Sequence, residues 1–293
     1  NVGKQPTIPS WFSEQLPLSY DIAIAIAKFR GFVKERIRSS PECVKFIQDY
    51  TYCSPETARQ IYSYCLEQAN FSEIPTEKEI IVEQFKQEKE YILFHSMYGR
   101  RVNDALSRAY AFAAASLKHR DVEIGINDNG FFISGESLDI NKILKGVVSN
   151  NLREILEQAI EKTDVLRRRF RHCAARSLMI LRNYKGQSKS VGKQQMHSHF
   201  LLSAVKELSK DFPILREARR EVFEDLMDFA HAFEILKNIE SGKIKIRVVQ
   251  TPLVSPFGLN LLTQSHSDFI KIEDRVAFLK RMHELHLKVI QNK

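Results

Sequence analysis

The chain of 293 residues contains no uninterrupted apolar run near the roughly 18 to 20 residues that a membrane-crossing helix needs, and no charged-then-apolar leader. A cytoplasmic protein without a membrane partner is the expectation. Only four cysteines occur, Cys43, Cys53, Cys65 and Cys173, with no C-x-x-C pair among them. Each falls in an apolar helical pattern, which predicts reduced core thiols rather than a zinc site or disulfides. Catalytic signatures are equally scarce. There is no G-x-S-x-G elbow, paired-carboxylate motif or Cys/His arrangement. The stretch 186–194 imitates a phosphate-binding loop, but five residues separate Gly186 from Gly192, and Gln194 stands where a magnesium-binding hydroxyl belongs. His197-x-His199 and His283-x-x-His286 lack accompanying carboxylates or thiols at ligand spacing. Asp104, Asp128 and Glu221 are the acids a nuclease or base-excision activity would use, and their spacing supports neither. No catalytic residue, metal site or cofactor site is therefore assigned within this chain. The first residue is Asn1 rather than Met, as expected of an excised or processed fragment.

One further absence points to function. Between residues 165 and 206 there is not a single Asp or Glu, while ten Lys or Arg occur: Arg167, Arg168, Arg169, Arg171, Arg176, Arg182, Lys185, Lys189, Lys193 and Lys206. These ten account for more than the whole formal charge of +8, since the other 34 basic residues face 36 acidic ones. Cations concentrated in one segment are the electrostatic footprint of a phosphate-backbone partner. A solvated helical face is the alternative reading. At 100° per residue, Leu166, Phe170, Cys173, Ala174, Ser177 and Leu181 share one side of a helix, and Arg168, Arg171 and Arg182 gather opposite around the small Ala175. Lys189, Lys193 and His197 follow at four-residue steps on a second helix, beyond a flexible cationic connection at 183–193. His95, near Arg100 and Arg101, suits a structural hydrogen bond better than a phosphate. The lone Trp11 either fills a core gap or stacks on a base.

Periodicity outlines an α+β fold: a mostly antiparallel sheet of about five strands, a helical N-terminal segment (1–75), and an α+β domain (76–293) with a helical basic insert at about 139–241. Leu18, Ile22, Ile26, Phe29 and Val33 mark a first helix capped by Ser19, and Pro41 and Ser54-Pro55 open helices over 41–50 and 55–69. Strands are predicted around Ile80, Val82 and Phe85, over 91–96, 122–126 and 131–134, and at Ile244, Ile246 and Val248. A helix over 101–117 lies between the second and third. Asn129-Gly130 signals a hairpin in which both turn positions tolerate positive φ. A closing helix is predicted over 273–290.

Several phrases together resemble the large helicase-related (Lhr) proteins of archaea and bacteria. They are Pro9-Ser10-Trp11 with Leu16-Pro17-Leu18-Ser19, the run from Phe94-His95-Ser96-Met97-Tyr98-Gly99-Arg100-Arg101 to Val102-Asn103-Asp104-Ala105-Leu106, and Asn127-Asp128-Asn129-Gly130-Phe131. Leu166-Arg167-Arg168-Arg169-Phe170-Arg171-His172, Tyr184-Lys185-Gly186, Arg219-Arg220-Glu221-Val222, Thr251-Pro252 and Ser255-Pro256-Phe257 continue the series in order. The resemblance is to the DEAD/H-associated region that follows two motor domains and a winged helix. It implies a parent superfamily 2 helicase that hydrolyses ATP with magnesium and moves 3′ to 5′ on single-stranded DNA, opening duplexes or RNA:DNA hybrids. It also implies sheet strands preceding this segment, so that one sheet edge is incomplete. Motor motifs are missing from these residues, so the expected contribution is grip: Arg168, Arg171, Arg182, Lys185, Lys189 and Lys193 on phosphates, Arg100 and Arg101 as further phosphate contacts, and Trp11 on a base. The expected partners are single-stranded DNA or an RNA:DNA hybrid and the parent's motor and winged-helix domains. The alternative is a protein-interaction module docking on that motor or on an acidic partner.

Overall fold

A computed structural model describes residues 16–86, 89–118, 122–209, 211–265 and 272–291. Three helices come first: α1 (Tyr20–Arg36), α2 (Ser40–Thr51) and α3 (Pro55–Phe71). Ser19 and Ser54 cap α1 and α3 through their hydroxyls, and prolines open α2 and α3, as their sequences predict. The inner face of α1 differs from the predicted stripe. Ala23, Ala27 and Val33 are buried, whereas Ile22 is half exposed. The cause is close packing: at Gly99 even a β-carbon would fall 2.8 Å from the Leu18 carbonyl oxygen and 3.8 Å from Ala23, so only small side chains fit along this contact.

The sheet comprises β1 (Glu79–Lys86), β2 (Glu90–His95), β3 (Glu123–Asn127), β4 (Gly130–Gly135) and a later strand, Lys245–Gln250. Its order is β3-β4-β2-β1 followed by Lys245–Gln250, with every pair antiparallel except the last. One face carries Ile80, Val82, Ile92, Phe94, Phe131 and Ile133 against Val102, Ala105, Leu106, Ala109 and Tyr110 of α4 (Arg100–Lys118). Those α4 residues recur at helical spacing, so one stripe seals the sheet. The other face carries Phe85, Leu93 and Phe132 against Val254, Leu261, Leu262 and Met282. Glu83 and His95 sit within that second layer, both almost fully buried and 3.1 Å apart, and the Ser255 amide donates to Glu83. Burial pushes the Glu83 carboxyl up, but His95 and the Ser255 donors outweigh it and hold the group below the ordinary range.

The basic insert packs on α4 and consists of α5 (Ile140–Gly146), α6 (Leu152–Ile160), α7 (Asp164–Arg176), the two-residue strands β5 (Asn183–Tyr184) and β6 (Gln187–Ser188), α8 (Val191–Leu208), α9 (Pro213–Arg220), a π-helical stretch (Glu221–Leu226) and α10 (Phe229–Glu240). The strand Lys245–Gln250 is β7 in chain order, and α11 (Pro256–Ser265) and α12 (Ile272–Gln291) follow. Two features correct the sequence reading. The connection at 183–193, expected to be flexible, folds in part into a hairpin whose tip, Lys185-Gly186, has positive φ at both positions. Helix α7 stops at Arg176: Leu178 turns left-handed and the Ile180 amide returns to the Ala174 carbonyl. Ile180, not Leu181, therefore plugs the core, and Leu181 is 37% exposed. Phe257 of α11 completes the small core of α1–α3, tying the N-terminal segment to the sheet domain. No helix among the described residues is long and apolar enough to cross a membrane. Cys43, Cys65 and Cys173 are buried free thiols and Cys53 is half-buried; burial pushes the Cys65 thiol up to about 11.

Candidate nucleic-acid interface

Nine of the ten cations of the acid-free segment divide into two populations. Some are held by carboxylates brought in by the fold. Glu221, buried at the head of the π-helical stretch, pairs with Arg176 and, at 3.6 Å, with Arg169. Glu161 holds Lys206 at 2.8 Å, together with Arg219 from α9 at 3.1 Å, and Asp164 holds Arg167 at 3.1 Å. By contrast Arg168, Arg171, Arg182, Lys189 and Lys193 form no ion pair among the described residues. A cation without a carboxylate nearby is the one that offers its charge to an external anion.

Helices α7 and α8 diverge to leave an open cavity of about 500 Å³, lined by Asp164, Arg167, Arg168 and Arg171 from α7 and by Gln195, Ser198, His199 and Leu202 from α8. Both sets follow the i, i+3, i+4, i+7 spacing of a single helical face. Ala175 continues the α7 face one turn beyond Arg171. Ser198 and Leu202, each 5% exposed, form the floor. Leu202 and Val205 anchor the C-terminal half of α8, while Ser190 caps its start by accepting from the Lys193 amide. Asn183 pairs with Ser188 in the hairpin, and just outside that pair the Lys189 amide donates to the Arg182 carbonyl. Two cations thus flank the hairpin base, with Lys185 at its tip.

The field of this cluster is visible on His172. Burial, then Arg171, Arg169, Arg182 and Arg176 in that order, hold its imidazole below the ordinary histidine range. One sequence expectation changes here. Lys193 and His197 do not continue the Arg168–Arg171 row, because they lie about 180° around α8 from the cavity-lining residues. Their side of α8 also carries Met196 and Phe200, 52% and 65% exposed.

The remaining predicted residues lie elsewhere. Arg100 opens α4 with its amide on the Asp128 carboxylate and its side chain exposed. Arg101 is half-buried, and Nη2 of its guanidinium donates to the Glu224 and Met227 carbonyls. His95 is spent on Glu83. Trp11 lies outside the described residues. The acids weighed for hidden chemistry have structural partners: Asp104 holds Arg108 at 2.7 Å, Asp128 accepts from the Leu18 and Arg100 amides, and Glu221 holds its two arginines. The 186–194 segment closes the hairpin and caps α8, a geometry unlike a phosphate-binding loop. His283 meets Glu67, while His286 is buried against the Val254 carbonyl, so the pair does not converge. The sequence left unsigned Gln195 and Ser198, and offered His199 only as half of a histidine pair; all three become site residues because α8 presents that face to α7.

The family model described as DEAD/H associated matches residues 74–258, from the loop before β1 into α11. The ATP-dependent helicase Lhr-Core of Methanothermobacter thermautotrophicus is 45% identical over 95% of this chain and 33% of its own length, and that of Saccharolobus solfataricus is 38% identical over 100% and 35%. The chain spans about a third of the length of these curated relatives. In fold it is similar to the Mycobacterium smegmatis helicase Lhr, solved bound to ssDNA and AMP-PNP, with a TM-score of 0.75, 23% identity, and coverage of 89% of this chain and 33% of that one. A family match over well over half of the chain, running through the sheet and the whole basic insert, establishes that the chain belongs to the DEAD/H associated family, as a region of the kind found in Lhr helicases.

Proposed function

We propose that this chain is the nucleic-acid-holding region of an ATP-dependent helicase, gripping the tracked single strand while motor domains elsewhere in the parent bind ATP and magnesium. Arg168 and Arg171 take phosphates at the α7–α8 cavity, Arg182, Lys185 and Lys189 extend that contact along the hairpin, and Arg100 and Trp11 are further contacts on other segments. Translocation 3′ to 5′, on DNA or on an RNA:DNA hybrid, belongs to the same reading. The observation that carries it is the sorting of cations: carboxylates pair with Arg169, Arg176, Lys206 and Arg167, whereas among the described residues Arg168 and Arg171 at the cavity form no ion pair, the Asp164 carboxylate there being held by Arg167. On a single strand each phosphate contact changes log affinity by about 0.7 per tenfold change in salt, or about fivefold between 1 M and 0.1 M. Replacing Arg168 and Arg171 together by Glu is therefore expected to weaken binding of a fluorescent single-stranded oligonucleotide by at least about 25-fold at 0.1 M salt. Unchanged affinity in a folded double variant refutes the assignment.

The outward side of α8 favours a second reading. Met196 and Phe200 are exposed there beside Lys193, as on a face that meets the motor, the winged helix or an acidic protein. Absence of oligonucleotide binding at low salt supports docking over grip.

A further inference from the structure

We propose that the α7–α8 cavity holds one unstacked nucleotide of the bound strand, with its phosphate on Arg168 and Arg171 and its base inside. The inference rests on the grip proposed above and adds a specific occupant. The volume comes first: about 500 Å³ lies within the roughly 300 to 1,000 Å³ of small-molecule sites, whereas a surface that only tracks a backbone needs no such recess. The charge distribution comes second. Along α7 the wall runs from Asp164, held by Arg167, to Arg168 and Arg171. A continuous run of phosphates would be repelled at the Asp164 end. A nucleotide matches the gradient, because its anionic phosphate suits the arginines and its neutral base, with donor groups on its edge, suits the carboxylate.

The facing wall comes third. Gln195 offers an amide with both donor and acceptor, the pairing type that reads a base edge, and His199 offers a planar ring that can lie on a base face. Buried Leu202 gives an apolar floor. Gln195 and Leu202 carry no charge for a phosphate, and a backbone-only site would have no use for them.

The test uses the full chain and a short single-stranded oligonucleotide carrying 2-aminopurine, whose emission rises when it leaves the stack. Binding to the unsubstituted chain is expected to raise emission severalfold. Gln195 is exposed, so Gln195→Trp fills the cavity without disturbing the core, and circular dichroism checks its fold. Emission in that variant stays at the free-strand level. His199→Ala is expected to lose up to about tenfold in affinity, the lower end of what one stacked base is worth. If the oligonucleotide binds but emission does not rise, or rises equally in Gln195→Trp, the nucleotide pocket is overturned and the grip stands. If no oligonucleotide binds at low salt, both fall.

Discussion

Glu221 and His172 show how single residues sort the charge of α7. Arg169 and Arg176 lie on the side of the helix that meets Glu221, so their charge is consumed in the fold. Arg168 and Arg171, on the adjacent side, have no such acid and keep theirs available. His172 senses the sum: burial and four guanidinium groups hold its imidazole pKa below the ordinary histidine range. If a polyanion settles on Arg171 and Arg182, the repulsion on His172 weakens and its pKa rises. A group whose pKa is higher in the complex takes up a proton on binding, so affinity increases as pH falls through the interval between the free and bound values. Titrating the His172 ring by NMR at low ionic strength, with and without oligonucleotide, checks this; the expected shift is upward. A pKa that stays fixed or falls on saturation places the strand elsewhere.

Two hairpins show what element-level reading captures and what it misses. Asn129-Gly130 predicts a turn between β3 and β4, and the turn is there, with Asn127 paired to Gly130. Its glycine is needed for a different reason than left-handed backbone, since Gly130 does not have positive φ. A β-carbon there would fall 2.1 Å from the Phe94 carbonyl oxygen, inside the neighbouring strand. Around this contact the Asn103 amide reaches the Asn127 carbonyl, Ser96 donates to Asn103, and Asp128 gathers the amides of Leu18 and Arg100. The phrases that carried the family resemblance are thus largely a structural lock. Gly130→Ala is expected to cost roughly 3 kcal/mol, a fall in Tm of about 6 to 12 °C, because two backbones must part. Gly186→Ala, at a hairpin tip with open space but φ of +76°, is expected to cost only about 1 kcal/mol. Calorimetry that finds the two equal removes the distinction. Strands, caps and the acid-free segment were legible because alternation, capping residues and charge are local signals. Helix α11 and the partners of Arg169 and Arg176 were not, because each depends on a residue distant in sequence: Glu83 and Gln68 accept from the Ser255 and Phe257 amides at the start of α11, and Glu221 holds the two arginines.

At the scale of the whole molecule, the arrangement of the six cations assigned to the strand makes a quantitative difference. Were Arg168, Arg171, Arg182, Lys185, Lys189 and Lys193 one continuous track, a single strand would show a slope of log affinity against log salt near about −4. The fold separates them. Lys193 turns to the side of α8 away from the cavity, while Arg168 and Arg171 line it and Arg182, Lys185 and Lys189 belong to the hairpin. A strand seated in the cavity and running along the hairpin meets Arg168, Arg171, Arg182, Lys185 and Lys189, which gives a slope nearer about −3.5. Arg168→Ala with Arg171→Ala should flatten that slope by about 1.4, whereas Lys193→Ala should leave it within error. A slope near −4 that Lys193→Ala reduces by about 0.7 would show instead that the strand wraps around α8 and touches both sides. The measurement is a fluorescence titration repeated across salt concentrations. It separates the two arrangements because counterion release counts the phosphates engaged, whatever the total affinity.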